Sequence, residues 1–170
     1  LANEIKSDLG PSDMTELQAS DKAVRKAREN LLSRTFYDKR YSRPVLRYLS
    51  DLLGSDPGEI SGDSVTVEHV LPRNPGDQSH WAEVFGDVRS ISNYAHRIGN
   101  LALLSFGDNQ LVGNSEYAEK RGVLSESGFV LSQDAAAAEQ WTPEHVMRRS
   151  EQLVQRIFEH WQLDFDAQHK

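Results

Sequence analysis

The 170-residue chain has no cysteine. Disulfides and cysteine-ligated zinc are therefore excluded. Any bound metal falls to His, Asp, Glu and Asn, a donor set that suits a hard ion such as magnesium or manganese. Also missing are an apolar run long enough to span a bilayer and a signal-peptide pattern. There is no internal repeat, and the first residue is Leu rather than Met, as expected of a piece of a longer protein. Positive charge is scarce: 19 Lys and Arg stand against 26 Asp and Glu, a net charge of −7. Taken alone, that sign opposes a nucleic-acid partner. The distribution answers part of the objection, because Arg25, Lys26, Arg28, Arg34, Lys39, Arg40, Arg43 and Arg47 face only Glu29 and Asp38 between residues 25 and 47. A local basic face can hold phosphates on an acidic chain; the same cluster also reads as a solvated helix surface.

What is present is mainly helical periodicity. Gly10-Pro11-Ser12 reads as a linker, and Ser12 or Asp13 can cap a helix to about Ser33 with Met14, Leu17, Val24, Leu31 and Leu32 inward. Residues Arg43 to Leu53 predict a second helix, with Pro44 in its first turn and Gly54 past its end. Tyr37 and Tyr41, among the charges, can stack on bases or pack on the core. The stretch from Ser55 to Ser64 reads as a loop. Ser79 predicts a helix to about Ala95 with Trp81, Val84, Phe85, Val88 and Ile91 buried. Gly113-Asn114-Ser115 introduces a short helix to about Gly122, and Ala135 to Ala138 predicts another. Thr142-Pro143-Glu144 is a strong helix start, with a capping hydroxyl, Pro at the first position and an acid in the first turn. That helix is expected to reach about Leu163, with Val146, Leu153, Val154, Ile157, Phe158 and Trp161 as its core stripe. Arg148 and Arg149 read as helix-surface partners of Glu144 and Glu151.

Two short strands hold the chemistry. Val65-Thr66-Val67 alternates, then Glu68-His69 places an acid beside a base before Pro72 stops the run. Gly99-Asn100 releases the apolar run Leu101 to Leu104, which Gly107-Asp108-Asn109 is expected to end as a turn. A helical excursion lies between the strands. Neighbouring strand residues point to opposite faces, so Glu68 and His69 can serve one phosphate only where the strand breaks, as Pro72 suggests.

This pattern resembles the HNH (ββα-metal, His-Me finger) nucleases. Glu68-His69-Val70-Leu71-Pro72 fills the acid-His-x-x-Pro slot, Asn100 the second-strand slot and Asn109 the last slot. Many members carry His there, and the HNH domains of CRISPR effectors carry Asn. His96-Arg97-Ile98-Gly99-Asn100-Leu101, with Lys120, Ser125 and Trp141-Thr142, is similar to the C-terminal domain of GmrSD-type modification-dependent restriction proteins. SspE-like phosphorothioate-dependent defence proteins have a nicking domain of this kind. The resemblance covers about residues 40 to 162. It implies an α+β, predominantly helical fold, a two-stranded antiparallel hairpin with a ββα-metal core surrounded by helices. The expected divisions are a linker and helix over residues 1–40, the nuclease domain over 41–163 and a tail over 164–170.

The resemblance further implies a bacterial, cytoplasmic endonuclease that nicks DNA in defence against phage, downstream of an NTP-dependent sensing domain in the same polypeptide. In that reading His69 is the general base and Glu68 with Asn109 holds Mg2+ or Mn2+. Asn100 braces the loop and orients the imidazole, and Lys120 touches the phosphate. Arg40, Arg43, Arg47, Arg73 and Arg97 are the candidate DNA contacts. The chemistry suits the residues: a neutral imidazole can take a proton from water near pH 7, and a hard cation can neutralise a phosphate. His80, His96, His145, His160 and His169 have no acid at a telling spacing, and His96 reads as support for the second strand. The alternatives are a non-catalytic nucleic-acid-binding module on a degenerate HNH fold, or a domain that couples an NTPase to a partner.

Overall fold

In the computed structural model, residues 19–55 and 64–163 are described. The expected linker at Gly10-Pro11-Ser12, the cap at Ser12 or Asp13, the tail and most of the loop from Ser55 to Ser64 lie outside them. Helix α1, Asp21–Leu31, is capped by Ser20, whose hydroxyl accepts from the Ala23 amide. A 3-10 turn, Phe36–Asp38, leads to α2, Ser42–Leu52, which buries Leu46 and Leu49 and ends at Gly54 with φ +87°. Strand β1 is Val65–His69 and β2 is Leu101–Ser105. They pair antiparallel from Val65 opposite Ser105 to His69 opposite Leu101. The chain is thus α+β and mostly helical, as expected.

Between the strands the expected single helix is two: α3, His80–Phe85, and α4, Val88–Ser92. Gly86 takes φ +83°, which L side chains resist, and closes α3. Asp87 then caps α4 by accepting from the Ser90 amide at 2.9 Å. The restart changes the helical phase. Ile91 stays buried, but Val88, expected inside, is exposed.

After β2 the expected Gly107-Asp108-Asn109 turn is instead helical. Ser105 caps α5, Phe106–Val112, by accepting from the Asp108 amide, so the helix starts directly off the strand and packs on both strands. The next helix, α6, spans Tyr117–Glu126 and runs through Gly122 rather than stopping there. Helix α7 is Val130–Ala136 and α8 is Pro143–His160, the latter capped by Thr142 as its sequence demands. Trp161, expected on the core stripe, is the exposed residue just past the end of α8. Among the described residues no helix is long and apolar enough to cross a membrane.

The sheet divides the interior. Ala102 and Leu104 face one core with Val70, Leu71, Trp81, Tyr117 and Trp141. Leu101 and Leu103 face another with Phe36, Leu46, Leu49, Leu153 and Phe158. Strand β2 is therefore apolar on both faces, and each of its buried leucines contributes roughly 2 kcal/mol of transfer free energy. Val24 of α1 joins the second core, which ties the N-terminal helix into the domain. Arg149 of α8 is buried instead of lying on the helix surface. Its guanidinium donates to the carbonyls of Gly99, Leu101 and Leu131 and to Asp134, fixing the turn that enters β2.

Candidate active site

The ladder stays regular through His69 and its partner Leu101. The expected break at the acid-His pair is therefore absent. The Val70 amide still reaches the Asn100 carbonyl at 3.0 Å, and the chain leaves the ladder only at Leu71. Glu68 and His69 consequently project to opposite faces of β1.

His69 lies on the face of Val65 and Val67. The edge of the Tyr37 ring meets it at 4.4 Å between centroids, and the His96 ring lies 5.5 Å away. Its Nε2 is buried and, among the described residues, has no hydrogen-bond partner. Burial is the main cause that pushes the imidazole pKa down to about 3. The charges that follow in weight belong to His96, Arg73 and Lys120, all cationic or able to be. His69 is thus held neutral in a positive surrounding.

His96 has an acid partner, though none stands at a telling spacing in the sequence. Its Nδ1 is 2.9 Å from Asp38 Oδ1. The Tyr37 amide also donates to the His96 carbonyl at 3.0 Å, so the 3-10 turn and the segment before β2 are tied twice. Nothing local in the sequence signals this pair, because the two residues meet only through tertiary packing.

On the other face Glu68 is ion-paired with Lys120 Nζ, which also donates to the His69 carbonyl at 2.9 Å. Lys120 is fully buried and Glu68 nearly so. Burial drives the Glu68 pKa up and the Lys120 pKa down, and their mutual attraction opposes both shifts. Lys120 therefore reaches this site as the counter-ion of Glu68. Asn109, in the body of α5 rather than at a loop entrance, donates through Nδ2 to Thr66 Oγ1 at 2.9 Å and the Val67 carbonyl at 3.3 Å. Thr66 shares a strand face with Glu68, so Asn109 sits on the Glu68 side.

Asn100 is fully buried. Its Oδ1 accepts from the Leu71 amide and Trp141 Nε1, and its Nδ2 donates to the carbonyls of Leu71 and Ala95. It braces the turn after His69, and these side-chain bonds go to groups other than the imidazole. Arg40, Arg43, Arg47 and Arg73 are exposed. Arg97 is half-buried, with its guanidinium bonded to the carbonyls of Leu32 and Asn93. Among the described residues no three His, Cys, Asp or Glu side chains are grouped as they would be in a protein-built metal cage.

No curated protein and no solved structure matches the chain. Residues 21–156 match the family described as GmrSD restriction endonucleases, C-terminal domain, a span that takes in α1 as well as the hairpin. The chain belongs to that restriction endonuclease family.

Proposed function

We propose that this domain hydrolyses DNA phosphodiester bonds, nicking one strand, with His69 as the general base. One observation carries the reading: in a restriction endonuclease domain the first strand ends on His69, whose ring stands beside Tyr37 and His96 with its Nε2 unpartnered among the described residues. The burial that keeps this ring neutral also weakens it as a base, so its basicity must rise when substrate binds. A base must be neutral to accept a proton, and a phosphodiester is drawn to positive charge. The orphaned Nε2 also lacks the partner that a water or substrate oxygen would provide. His69 takes the proton of a water whose oxygen forms the new bond to phosphorus, as the bond to the 3′ oxygen breaks.

A hard divalent ion fits the donors on the Glu68 face. Glu68 offers a carboxylate, and Asn109 has its amide nitrogen turned to Thr66 and Val67, leaving the carboxamide oxygen for another partner. Two oxygen ligands suit Mg2+ or Mn2+, which keeps most of its waters, though Lys120 competes for Glu68. When bound, such an ion would neutralise the charge of a phosphate on the Glu68 face. Because Glu68 and His69 project to opposite faces of β1, one phosphate would meet both the ion and the imidazole only with the strand end opened at His69. A hairpin running directly into a helix supports the ββα-metal reading. Arg40, Arg43, Arg47 and Arg73 would hold flanking phosphates. We further propose that the domain serves bacterial anti-phage defence, in the cytoplasm, beneath an NTP-dependent domain that senses DNA modification such as phosphorothioation.

The test is conversion of supercoiled plasmid to open circle by wild type and His69→Ala, with magnesium, manganese or chelator. Nicking that needs the ion and disappears in His69→Ala is expected. Nicking that survives both the substitution and chelation would refute the mechanism, and DNA binding without any nicking would indicate a binding module.

A further inference from the structure

Outside the Glu68 face, the side chains best placed to meet substrate are Asp38 and His96, the latter read from sequence only as support for the second strand. Asp38 takes the Nδ1 side of the imidazole at 2.9 Å. That contact leaves Nε2 as the ring nitrogen able to meet a ligand. His96 is not sealed in: its side chain is 27% exposed, and that of Asp38 is 49% exposed. Tyr37 touches both imidazoles edge-on, with centroids 4.4 Å from His69 and 5.4 Å from His96. The three rings form one aromatic corner at the end of β1, and Arg73 and Lys120 add their charges to it.

We propose that His96, held by Asp38, is a substrate ligand that donates from Nε2 to a non-bridging oxygen of the phosphate attacked beside His69. With the two ring centroids 5.5 Å apart, a phosphate held at His96 lies next to the His69 ring. The assignment rests on the nuclease reading for its substrate. It divides the labour between the histidines: His69, buried and neutral, accepts a proton, while His96, more open, donates from Nδ1 to Asp38 and from Nε2 to the anion. Asp38 fixes the ring orientation. Asp38, Tyr37, His69, Arg73 and Lys120 are charged or titratable neighbours that act on this corner.

The competing explanation is a structural tie between the 3-10 turn and the segment before β2. His96→Asn separates the two, because the Asn amide can still donate to Asp38 but has no atom in place of Nε2. Binding of a labelled duplex by the full chain is measured in chelator between 50 and 200 mM salt, and nicking is measured separately. The expected result is a fold of unchanged stability, a slope of log affinity against log salt reduced by about 0.9, the value for one phosphate contact, and a raised KM for nicking. His96→Lys should restore the slope. An unchanged slope and KM in a folded His96→Asn would overturn the proposal. Should that variant fail to fold, the wild-type His96 Nε2 resonance decides: a shift on adding metal-free duplex supports the contact, and no shift overturns it. A wild type that never nicks, but whose slope still falls in His96→Asn, would remove the nuclease reading and leave the phosphate contact standing.

Discussion

Asn100 grips both ends of one peptide unit pair: its Oδ1 accepts from the Leu71 amide at 2.8 Å and its Nδ2 donates to the Leu71 carbonyl at 2.9 Å. Leu71 lies two residues past His69, so the second strand sets where the first one ends. The same side chain satisfies Ala95 and the Trp141 indole, which connects the turn before β2 to the segment before α8.

Asn100→Ala would strand two donors and two acceptors in a dry interior. Each buried unsatisfied group costs about 1–3 kcal/mol, so a loss of at least about 3 kcal/mol is expected in urea unfolding. Asn100→Asp keeps the accepting oxygen but loses both donations and adds a buried charge, and should be no better. A loss under about 1 kcal/mol in Asn100→Ala would mean that water enters the turn and that the brace is weak.

The Glu68–Lys120 pair predicts a strong coupling. Lys120→Met leaves a buried carboxylate without its cation and should cost about 3–5 kcal/mol. Glu68→Leu leaves the ammonium with only the His69 carbonyl and should also destabilise. Glu68→Leu combined with Lys120→Met removes both charges and should unfold at higher urea than Lys120→Met alone. If Glu68 is a metal ligand, that double variant is folded yet fails to nick with magnesium or manganese. Additive losses in the cycle would show that the two groups do not depend on each other.

The legible parts of this protein were the local ones. The hairpin partners, the Thr142-Pro143 helix start and the Gly54 stop follow from strand alternation, capping and backbone preference. The sequence predicts a turn at Asn109, just past β2, where the structure has helix α5. Gly107-Asp108-Asn109 has turn composition, and the Ser105 cap with packing against both strands makes it helix instead. What could not be read were the long-range partners. Lys120 for Glu68, Asp38 for His96 and four oxygens for Arg149 are set by packing, which leaves no periodic trace. Gly99 is similar. It looked like a strand start, but its Cα faces α8, and a Cβ would fall 2.2 Å from the Val146 carbonyl oxygen and 2.6 Å from the Ser150 nitrogen. Only glycine admits that approach.

Burial of His69 makes a prediction about acid. In the unfolded chain an imidazole titrates near its ordinary value of about 6.5, whereas in the folded domain it titrates near about 3. Between these values the unfolded state binds a proton that the folded state refuses, so stability falls as pH drops below about 6.5 and continues to fall towards about 3. Glu68 acts in the opposite sense, because its raised pKa lets the folded state bind a proton first. The His69 contribution is therefore isolated by comparison with His69→Gln. Urea midpoints taken from pH 7.5 to 4.5 should decline more steeply in wild type, with a difference approaching about 1.4 kcal/mol per pH unit on the acid side. Parallel curves would show that the fold leaves the imidazole as free to bind a proton as it is in water.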